Sequence, residues 1–423
     1  MLKGAIAIQT DNLHDIEGVL EQIEQVAHFG QDKSGITRLA FTSADHQARD
    51  YIIKLMQHNG LTVQIDAIGN IIGRFQPAGI EPAAPPVATG SHLDTVPSGG
   101  KYDGVLGIVC GLAAINRLKE RSGIKHPLEV IVFAAEESSR FNMPTIGSKA
   151  MAGLVTAATL KGIKDQDGIA LAEELAASGF STNQMSTVPR CQNSIKGFVE
   201  LHIEQGQGLE QERSSIGIVD KVAAPTRLKI MVVGTAGHSG AAPIEERQDA
   251  LVSAAMIILA VRNIAAEYEY QGAVATVTIL KTYPGTINVI SGQVEMWVDI
   301  RGTEHESIIE ILQEIKDAVS SIADDYNTPI AIDVLSSEKP IILDDTINQI
   351  MEEVCCKLNQ TSVRLDSRVG HDAMNIAHIA PAALLLIPCK DGISHNAYED
   401  VAPEDIAAGI AVLTETLYEL ASS

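Results

Sequence analysis

The stretch that decides the fold is VATGSHLDTVPSGGKYDGVLG, residues 87–107. Its first residues are small and apolar, which is typical of a strand entering a buried sheet. His92, Asp94 and Asp103 follow in a loop rich in Gly, Ser and Pro, and the next run has apolar residues at helical spacing. In open α/β sheets ligands bind where strands lead into such loops. The stretch therefore predicts a binding rim, with an ordinary polar loop as the alternative.

Three further apolar runs end in the same kinds of residue. LEVIVFAAEE (128–137) ends in Glu136 and Glu137, GFVELHIEQG (197–206) carries His202, and AALLLIPCKDGISH (382–395) ends in His395. One histidine or one glutamate pair after a strand is more often a hydrogen-bonding or solvated group. Four such strand ends together favour a metal site, because imidazole and carboxylate ligands suit zinc, manganese and similar divalent ions.

Hydrolysis at a pair of divalent ions requires the same set of residue types. Two ions need a bridging carboxylate together with His and carboxylate ligands, and a further carboxylate outside the ligand set must act as general base. Glu136 and Glu137 are adjacent and can divide the roles of base and ligand. Asp94, two residues after His92, is placed to hold the second nitrogen of that imidazole. A loop-capping role is the alternative for Asp94.

The order of predicted elements indicates two domains. The strand, helix and strand over residues 87–137 predict a βαβ crossover in a parallel or mixed sheet. From about residue 219 to 335 the pattern becomes β-α-β-β-α-β, which is typical of a ferredoxin-like α+β domain. We predict an α/β catalytic domain with a mixed sheet, formed by residues 1–217 and 336–423. Residues 218–335 are the predicted inserted domain.

Composition narrows the class of protein. The chain has 423 residues, 45% hydrophobic and 20% charged, as in soluble globular proteins. A formal net charge of −23 argues against a nucleic-acid or anionic-membrane partner. Five cysteines without a CxxC pair fit a reducing compartment. The first 18 residues do not resemble a signal peptide and we identified no apolar run of membrane-spanning length, so we expect a cytoplasmic protein.

A series of motifs resembles a known family. GSHLDTVPSGGKYDGVLG, AAEESSRF, ELHIEQG, GTAGHSGAAP with RQDA, TINVISG with VDIRG, VGHDA and GISHNAYE occur in that order. They resemble the M20-type metallohydrolases, and within these the amidase, hydantoinase/carbamoylase branch. That branch includes N-carbamoyl-L-amino-acid hydrolases, allantoate amidohydrolases and β-ureidopropionases. The resemblance implies a zinc-exopeptidase-like catalytic domain and a lid or dimerisation role for the inserted domain.

The resemblance also implies a metal centre with two divalent ions. One ion would be held by His92, Asp103 and His202, and Asp103 would bridge to a second ion held also by Glu137 and His395. Glu136 would be the general base. Zn²⁺ or Mn²⁺ is expected, and Co²⁺ or Ni²⁺ is compatible with these ligands. Peptidase relatives typically carry Asp or Glu at the position of His202, so this histidine favours the carbamoylase branch.

Further roles follow from the same resemblance. His238 matches a histidine that reaches into the partner subunit's active site and polarises the scissile carbonyl, which implies a homodimer. Asn288 and Arg301 match a pair that binds the substrate carboxylate, and an Arg fork suits a planar carboxylate. Gln205 and His371 match pocket-lining positions. The alternatives are a surface charge for Arg301 and an ordinary hydrogen-bonding loop residue for His371.

The chain departs from the family pattern at six positions outside the proposed ligands. These are Ser138, Ala241, Ala242, Ile244, Arg368 and Val369. These departures leave the identity of the substrate open, but they do not change the residues proposed for the metal-dependent hydrolysis.

The predicted function is hydrolysis of a linear ureido group on a small carboxylate. The favoured substrate is an N-carbamoyl-L-amino acid, with release of ammonia and CO₂, and allantoate is the first alternative. A more distant alternative is an M20 peptidase acting on a dipeptide or an acylated amino acid. A catalytically silent metal-binding protein is the alternative outside enzymes. Such a protein would be expected to lack the base or a ligand, and here all are present.

Overall fold

The computed structural model describes residues 16–423, and residues 16–27 form the helix labelled α1. Most of the segment on which the signal-peptide expectation rests lies outside the described residues. The strands are β1 Thr62–Ile65, β2 Ile71–Phe75, β3 Val87–His92, β4 Leu128–Phe133, β5 Gly197–Ile203, β6 Ile216–Val222, β7 Ala224–Val233, β8 Gly237–His238, β9 Ala273–Tyr283, β10 Val289–Ile290, β11 Gln293–Gly302, β12 Ile330–Ser337, β13 Ile341–Ile342, β14 Ser362–Ser367 and β15 Ala382–Ile387.

The helices after α1 follow in chain order. They are α2 Ser43–His58, α3 Val105–Leu118, α4 Ile146–Met151, α5 Ala157–Lys161, α6 Leu171–Ala177, α7 Gly208–Glu212, α8 Ala250–Tyr268, α9 His305–Asp325, α10 Asp345–Leu358, α11 Asp372–Ile376 and α12 Pro403–Ser422. Short 3₁₀ turns occur at Thr182–Thr187, Ile244–Glu246, Glu269–Gln271 and Lys390–Gly392.

The chain forms two compact units. Among the described residues, unit 1 comprises residues 16–220, Leu343–Leu365 and His371–Ser423, and unit 2 comprises Lys221–Ile342 and Asp366–Gly370. Each unit has its own hydrophobic core.

A mixed sheet runs through unit 1. Its strand order is β1-β2-β4-β3-β5-β15-β6, with β14 paired to β6. The short strand β13 pairs with Lys221 and Val222 at the end of β6, and these residues belong to unit 2. The four neighbours β4, β3, β5 and β15 are mutually parallel, whereas β2 pairs antiparallel with β4 and β6 pairs antiparallel with β15. The predicted α/β class with a mixed sheet is confirmed.

The parallel strands are buried along their whole length. Their near-continuous apolar sequences suit this position, because helices cover both faces of a parallel sheet. Helix α3 lies so close to β5 that a Cβ atom on Gly107 would stand 2.3 Å from the Leu201 carbonyl oxygen. Only glycine fits at this contact.

Unit 2 contains a four-stranded antiparallel sheet with the order β12-β7-β11-β9. In chain order the elements of this sheet and its helices are β7-α8-β9-β11-α9-β12, the predicted β-α-β-β-α-β sequence. Both helices contribute buried residues to the core of this unit. The strands β8 and β10 pair with each other in a separate two-stranded antiparallel ribbon.

Helix α8 corrects one sequence-based expectation. Within residues 16–423, the segment Ala250–Gln271 is long and apolar enough to cross a membrane by length and composition alone. In the fold this segment is a helix of unit 2 whose Ala254, Ile257 and Val261 are buried in the core. Its other face carries exposed apolar residues, and this second apolar face explains the high hydropathy.

Candidate metal centre

Four parallel strands bring the predicted ligands to one edge of the sheet in unit 1. His92 is the last residue of β3 and His202 lies near the end of β5. Glu136 and Glu137 follow β4, and His395 follows β15. Because β4, β3, β5 and β15 are adjacent and parallel, their carboxyl ends meet. Side chains that are far apart in sequence therefore converge.

The first group of possible ligands consists of His92, Asp103 and His202. Asp103 Oδ1 lies 3.2 Å from His202 Nε2 and 3.6 Å from His92 Nε2. All three side chains are buried. Gly104 makes room for this packing, because a Cβ atom there would lie 2.6 Å from the His92 ring.

The second group consists of Asp103, Glu137 and His395. His395 Nε2 lies 3.2 Å from Asp103 Oδ2 and 3.4 Å from Glu137 Oε1. Asp103 thus presents one carboxylate oxygen to each group. This is the arrangement required of a carboxylate that bridges two ions.

Within both groups, neighbouring charged side chains shift one another's pKa values. Burial alone would raise the pKa of Asp103, but hydrogen bonds from His202, His395 and His92 hold that pKa well below its usual value. Hydrogen bonds to Asp103 and Glu137 raise the pKa of His395 to about 10. Burial lowers the pKa of His202, yet the facing Asp103 carboxylate raises it above its usual value overall. Without a metal, the carboxylates attract protons to the same nitrogen atoms that would ligate an ion.

Glu136 belongs to neither group of possible ligands. Its Oε2 lies 3.8 Å from His92 Nε2, and the side chain is buried. Burial and the neighbouring Glu137 carboxylate raise the pKa of Glu136 well above its usual value, although His92 opposes this rise. A carboxylate beside the ligands with a raised pKa is suited to general acid–base work.

Asp94 differs in detail from its predicted role. His92 Nδ1 contacts the main-chain oxygen of Asp94 at 2.9 Å, whereas the closer carboxylate oxygen is 3.9 Å away. The carboxylate instead accepts the backbone N–H groups of Glu136 at 3.1 Å and Glu137 at 2.9 Å. The two amides after β4 need an acceptor, and Asp94 lies within reach of both. Asp94 therefore orients the ends of two neighbouring strands.

Gln205 and His371 both lie beside the ligand groups. Gln205 Nε2 is 3.3 Å from Asp103 Oδ2 and 3.3 Å from His395 Nε2. The rings of His371 and His202 are 4.6 Å apart, and burial lowers the pKa of His371 well below its usual value. A neutral imidazole at this position can either donate or accept a hydrogen bond.

The structure adds two buried carboxylates that the sequence analysis did not single out. Glu200 forms a third possible ligand group with His202 and His371, and it accepts hydrogen bonds from Ser91 Oγ and the backbone N–H of Ala373. The available signal was a glutamate inside the otherwise apolar strand GFVELHI. Glu399 accepts backbone N–H groups of the Asp103 loop, and the available signal was its place as the last residue of the GISHNAYE motif.

His238, Asn288 and Arg301 belong to unit 2, and the distances above do not involve them. His238 lies opposite Val289 in the β8–β10 ribbon, and the carbonyl of Asn288 accepts the backbone N–H of Ser239 at 3.1 Å. Arg301 lies on β11, where its Nε donates to Asp299 at 2.7 Å. Asn288 thus lies directly before β10, beside the end of the ribbon that carries His238.

The donor sets fit divalent ions. The first group offers two imidazoles and a carboxylate, and the second offers one imidazole and two carboxylates. Zinc accepts nitrogen and oxygen ligands of these kinds, as do manganese, cobalt and nickel. The chain thus contains candidate metal-ligand clusters that share one residue.

Residues 88–419 match Peptidase family M20/M25/M40. Among curated proteins, the chain is 36% identical to "Ureidoglycolate hydrolase" of Arabidopsis thaliana, over 99% of this chain and 89% of that protein. It is 35% identical to "N-carbamoyl-L-amino acid amidohydrolase" of Geobacillus stearothermophilus, over 96% of this chain and 98% of that protein. It is 31% identical to "Allantoate amidohydrolase" of Bacillus subtilis, over 95% of this chain and 97% of that protein.

Solved structures are similar over nearly the whole chain. The structure of AtUAH in complex with (S)-hydroxyglycine has a TM-score of 0.87 at 35% identity, covering 97% of this chain and 98% of the other. An amidase of the hydantoinase/carbamoylase family from Burkholderia vietnamiensis has a TM-score of 0.86 at 32% identity, covering 96% and 98%. The similarity extends over both units.

Proposed function

The chain belongs to Peptidase family M20/M25/M40, and from that membership we propose that it hydrolyses the linear ureido group of a small carboxylate, most favourably an N-carbamoyl-L-amino acid. It is a hydrolase that acts on non-peptide carbon–nitrogen bonds, as are its amidohydrolase relatives. The observation that carries the proposal is the pair of ligand groups that share Asp103, with Glu136 buried beside them and outside both.

We assign one divalent ion to His92, Asp103 and His202, and a second to Asp103, Glu137 and His395. Zn²⁺ or Mn²⁺ is the expected metal, with Co²⁺ and Ni²⁺ compatible. Such ions, when bound, supply Lewis acidity that lowers the pKa of water and polarises a carbonyl.

Glu136 moves the proton in this mechanism. Its carboxylate takes a proton from the attacking water and delivers it to the leaving nitrogen, so one C–O bond forms as the C–N bond breaks. The raised pKa of Glu136 lets the residue hold that proton between the two steps. Asp94 keeps Glu136 in place through its backbone N–H. Hydrolysis of this one C–N bond leaves a carbamate, whose spontaneous breakdown cleaves the second C–N bond, so the final products are ammonia, CO₂ and the free amino acid.

Binding and orientation of the substrate are assigned to five residues. His238 donates a hydrogen bond to the oxygen that becomes negative in the transition state. Asn288 and Arg301 bind the substrate carboxylate, and Gln205 and His371 line the pocket. Residues 1–217 and 336–423 are the proposed catalytic domain, and residues 218–335 act as lid and dimerisation domain.

The proposed assembly is a homodimer in which His238 serves the partner's active site. Two features of unit 2 support this proposal. Helix α8 exposes Leu251, Met256 and Leu259, and β9 is an edge strand with exposed Ile279 and Leu280. An exposed edge strand beside an apolar helix face is a surface that proteins normally cover.

We place the enzyme in the cytoplasm, which fits the five free thiols among the described residues.

The test is ammonia release, or amino-acid release for the dipeptides, by protein loaded with Mn²⁺ or Zn²⁺. Substrates are several N-carbamoyl-L-amino acids, N-carbamoyl-β-alanine, ureidoglycolate, allantoate and a few dipeptides, each with a blank lacking enzyme. We expect turnover of an N-carbamoyl-L-amino acid that a chelator abolishes. Glu136→Gln should lose this turnover, while Glu404→Gln, which changes an exposed carboxylate, should retain it.

Each other result has a definite meaning. Turnover of ureidoglycolate or allantoate alone would establish the second candidate function, which the similarity to the Arabidopsis and Bacillus subtilis proteins favours. Cleavage of dipeptides alone would show that the chain is a peptidase. No turnover of any compound by the metal-loaded protein would refute the proposed function.

A further inference from the structure

The loop after β15 contacts the Asp103 loop through a buried carboxylate. Glu399 Oε1 accepts the backbone N–H of Tyr102 at 2.8 Å and that of Asp103 at 3.0 Å. The side chain is only 4% exposed, and Oε2 is buried without a hydrogen-bond partner among residues 16–423. A buried carboxylate with one unpaired oxygen is costly. The two charge-assisted hydrogen bonds that Oε1 accepts are therefore the interactions that stabilise the Glu399 carboxylate in this buried position.

The same loop reaches Asp103 a second time. His395 Nε2 lies 3.2 Å from Asp103 Oδ2, and Glu399 is only four residues further along the chain. One loop thus contacts the carboxylate of Asp103 and also fixes its backbone. Gly100 makes this possible, because a Cβ atom there would lie 2.4 Å from the Cβ, Cδ and Oε1 atoms of Glu399.

We infer that Glu399 is a positioning residue that aims the Asp103 carboxylate at both ligand groups. The N–H of Asp103 and its side chain leave the same Cα atom, so fixing the peptide plane restricts where Oδ1 and Oδ2 can point. Partners outside the ligand set commonly act in this way, and losing one typically weakens metal affinity by about 10- to 100-fold. The inference rests on the metal centre of the proposed function and does not depend on the substrate.

The experiment measures metal binding by the full-length protein without substrate. Metal-free protein is titrated with Co²⁺, and both the affinity and the visible absorption spectrum are recorded. Glu399→Ala removes both acceptor contacts, and we expect about 10- to 100-fold weaker Co²⁺ binding with an altered spectrum. Glu399→Gln retains one carbonyl oxygen as acceptor, so its loss should be smaller.

Two further variants separate positioning from general stability. Asp165 also accepts two backbone N–H groups, from Asp167 and Ile169, and belongs to no ligand group. Asp165→Ala should lower the thermal stability of metal-free protein and leave Co²⁺ affinity unchanged. Gly100→Ala should displace Glu399 by steric contact and reproduce its loss. The double variant of Gly100 and Glu399 should lose no more affinity than Glu399→Ala alone, because both changes break one interaction.

Wild-type Co²⁺ affinity and spectrum in folded Glu399→Ala would overturn the inference. An equal loss of affinity in Asp165→Ala would overturn it as well, because the effect would then be general. If Glu399→Ala fails to fold, Glu399→Gln and Gly100→Ala give the answer, and wild-type binding in both would count against it. If Glu399→Ala weakens Co²⁺ binding as expected but the wild-type protein hydrolyses no ureido compound, the proposed function is refuted and the inference about Glu399 stands.

Discussion

The Oδ2 atom of Asp103 lies 3.2 Å from the Nε2 atom of His395, although the two residues come from loops that are far apart in the sequence. The loop after β3 and the loop after β15 meet because β5 alone separates these parallel strands. The other oxygen of Asp103 faces His202 at 3.2 Å. Asp103 is therefore the residue on which both proposed ion sites depend.

Replacing Asp103 by Asn should disrupt both ion sites. Asparagine retains one carbonyl oxygen but cannot bridge two cations with negative charge. We expect metal-loaded wild-type protein to contain two ions per chain and Asp103→Asn to contain at most one weakly held ion, measured by elemental analysis after gel filtration. Asp50→Asn, at an exposed position of α2, is the control. Two tightly bound ions in Asp103→Asn would contradict the bridging assignment.

Glu136 and Glu137 are adjacent and should give opposite results. Glu136→Gln should retain both ions and lose activity roughly 10²- to 10⁴-fold, because the general base is lost. Glu137→Gln should weaken one ion, and added metal should partly restore activity. Metal content and the rate at saturating metal separate the two variants. Identical metal loss in both would show that Glu136 is a ligand.

Metal binding should release protons at neutral pH. Carboxylates facing His92, His202 and His395 raise the pKa of each imidazole above its usual value despite their burial. His395, with its pKa of about 10, is therefore protonated in metal-free protein at pH 7, and any proton held on a ligating nitrogen must be lost before an ion binds. The apparent metal affinity consequently rises with pH and falls as pH decreases.

Calorimetry in buffers of different ionisation enthalpy measures this proton release. His395→Ala should release fewer protons than wild type, and His58→Ala, at an exposed position, should release as many. Binding heat that is independent of the buffer would contradict the prediction.

The exposed apolar face of α8 should determine the oligomeric state. Leu259 is 54% exposed on this face, and Leu259→Asp would bury a charge in any interface formed there. We expect a dimer for wild type and a monomer with lower activity for Leu259→Asp, measured by light scattering. Leu154→Asp introduces the same charge at an exposed leucine of unit 1 and should leave the dimer intact. A fully active wild-type monomer would disprove the proposed dimer.

Gly90 should be essential for stability. Its φ is +155° and a Cβ atom there would lie 1.9 Å from the Ile131 carbonyl oxygen, inside the pairing of β3 with β4. Gly90→Ala should lower the free energy of unfolding by roughly 2–6 kcal/mol through strain and overpacking. Gly18→Ala, in α1 with open space around the glycine, should instead be neutral or stabilising by about 0.5–1 kcal/mol. Urea unfolding of metal-free protein followed by circular dichroism measures both; equal effects would refute the steric argument.

The sequence was sufficient for the α/β class and for the residues that converge at the sheet edge. Apolar runs such as 128–133 and 382–387 identify strands buried on both faces, and parallel strands deliver whatever follows them to one edge. His92 and His202 could therefore be nominated as neighbours from sequence alone. Their pairing in one ligand group came from the resemblance to a family.

Only the tertiary structure decided which atoms meet. The sequence placed Asp94 beside His92, but the fold turns its carboxylate to the amides of Glu136 and Glu137. The contact of Glu399 with Asp103 joins distant loops; Glu399 ends the GISHNAYE motif, but that motif does not identify its partner. Hydrophobic periodicity is a local property that determines strands and helices. Hydrogen bonds between loops depend on the relative placement of whole strands, which the packing of the complete sheet determines.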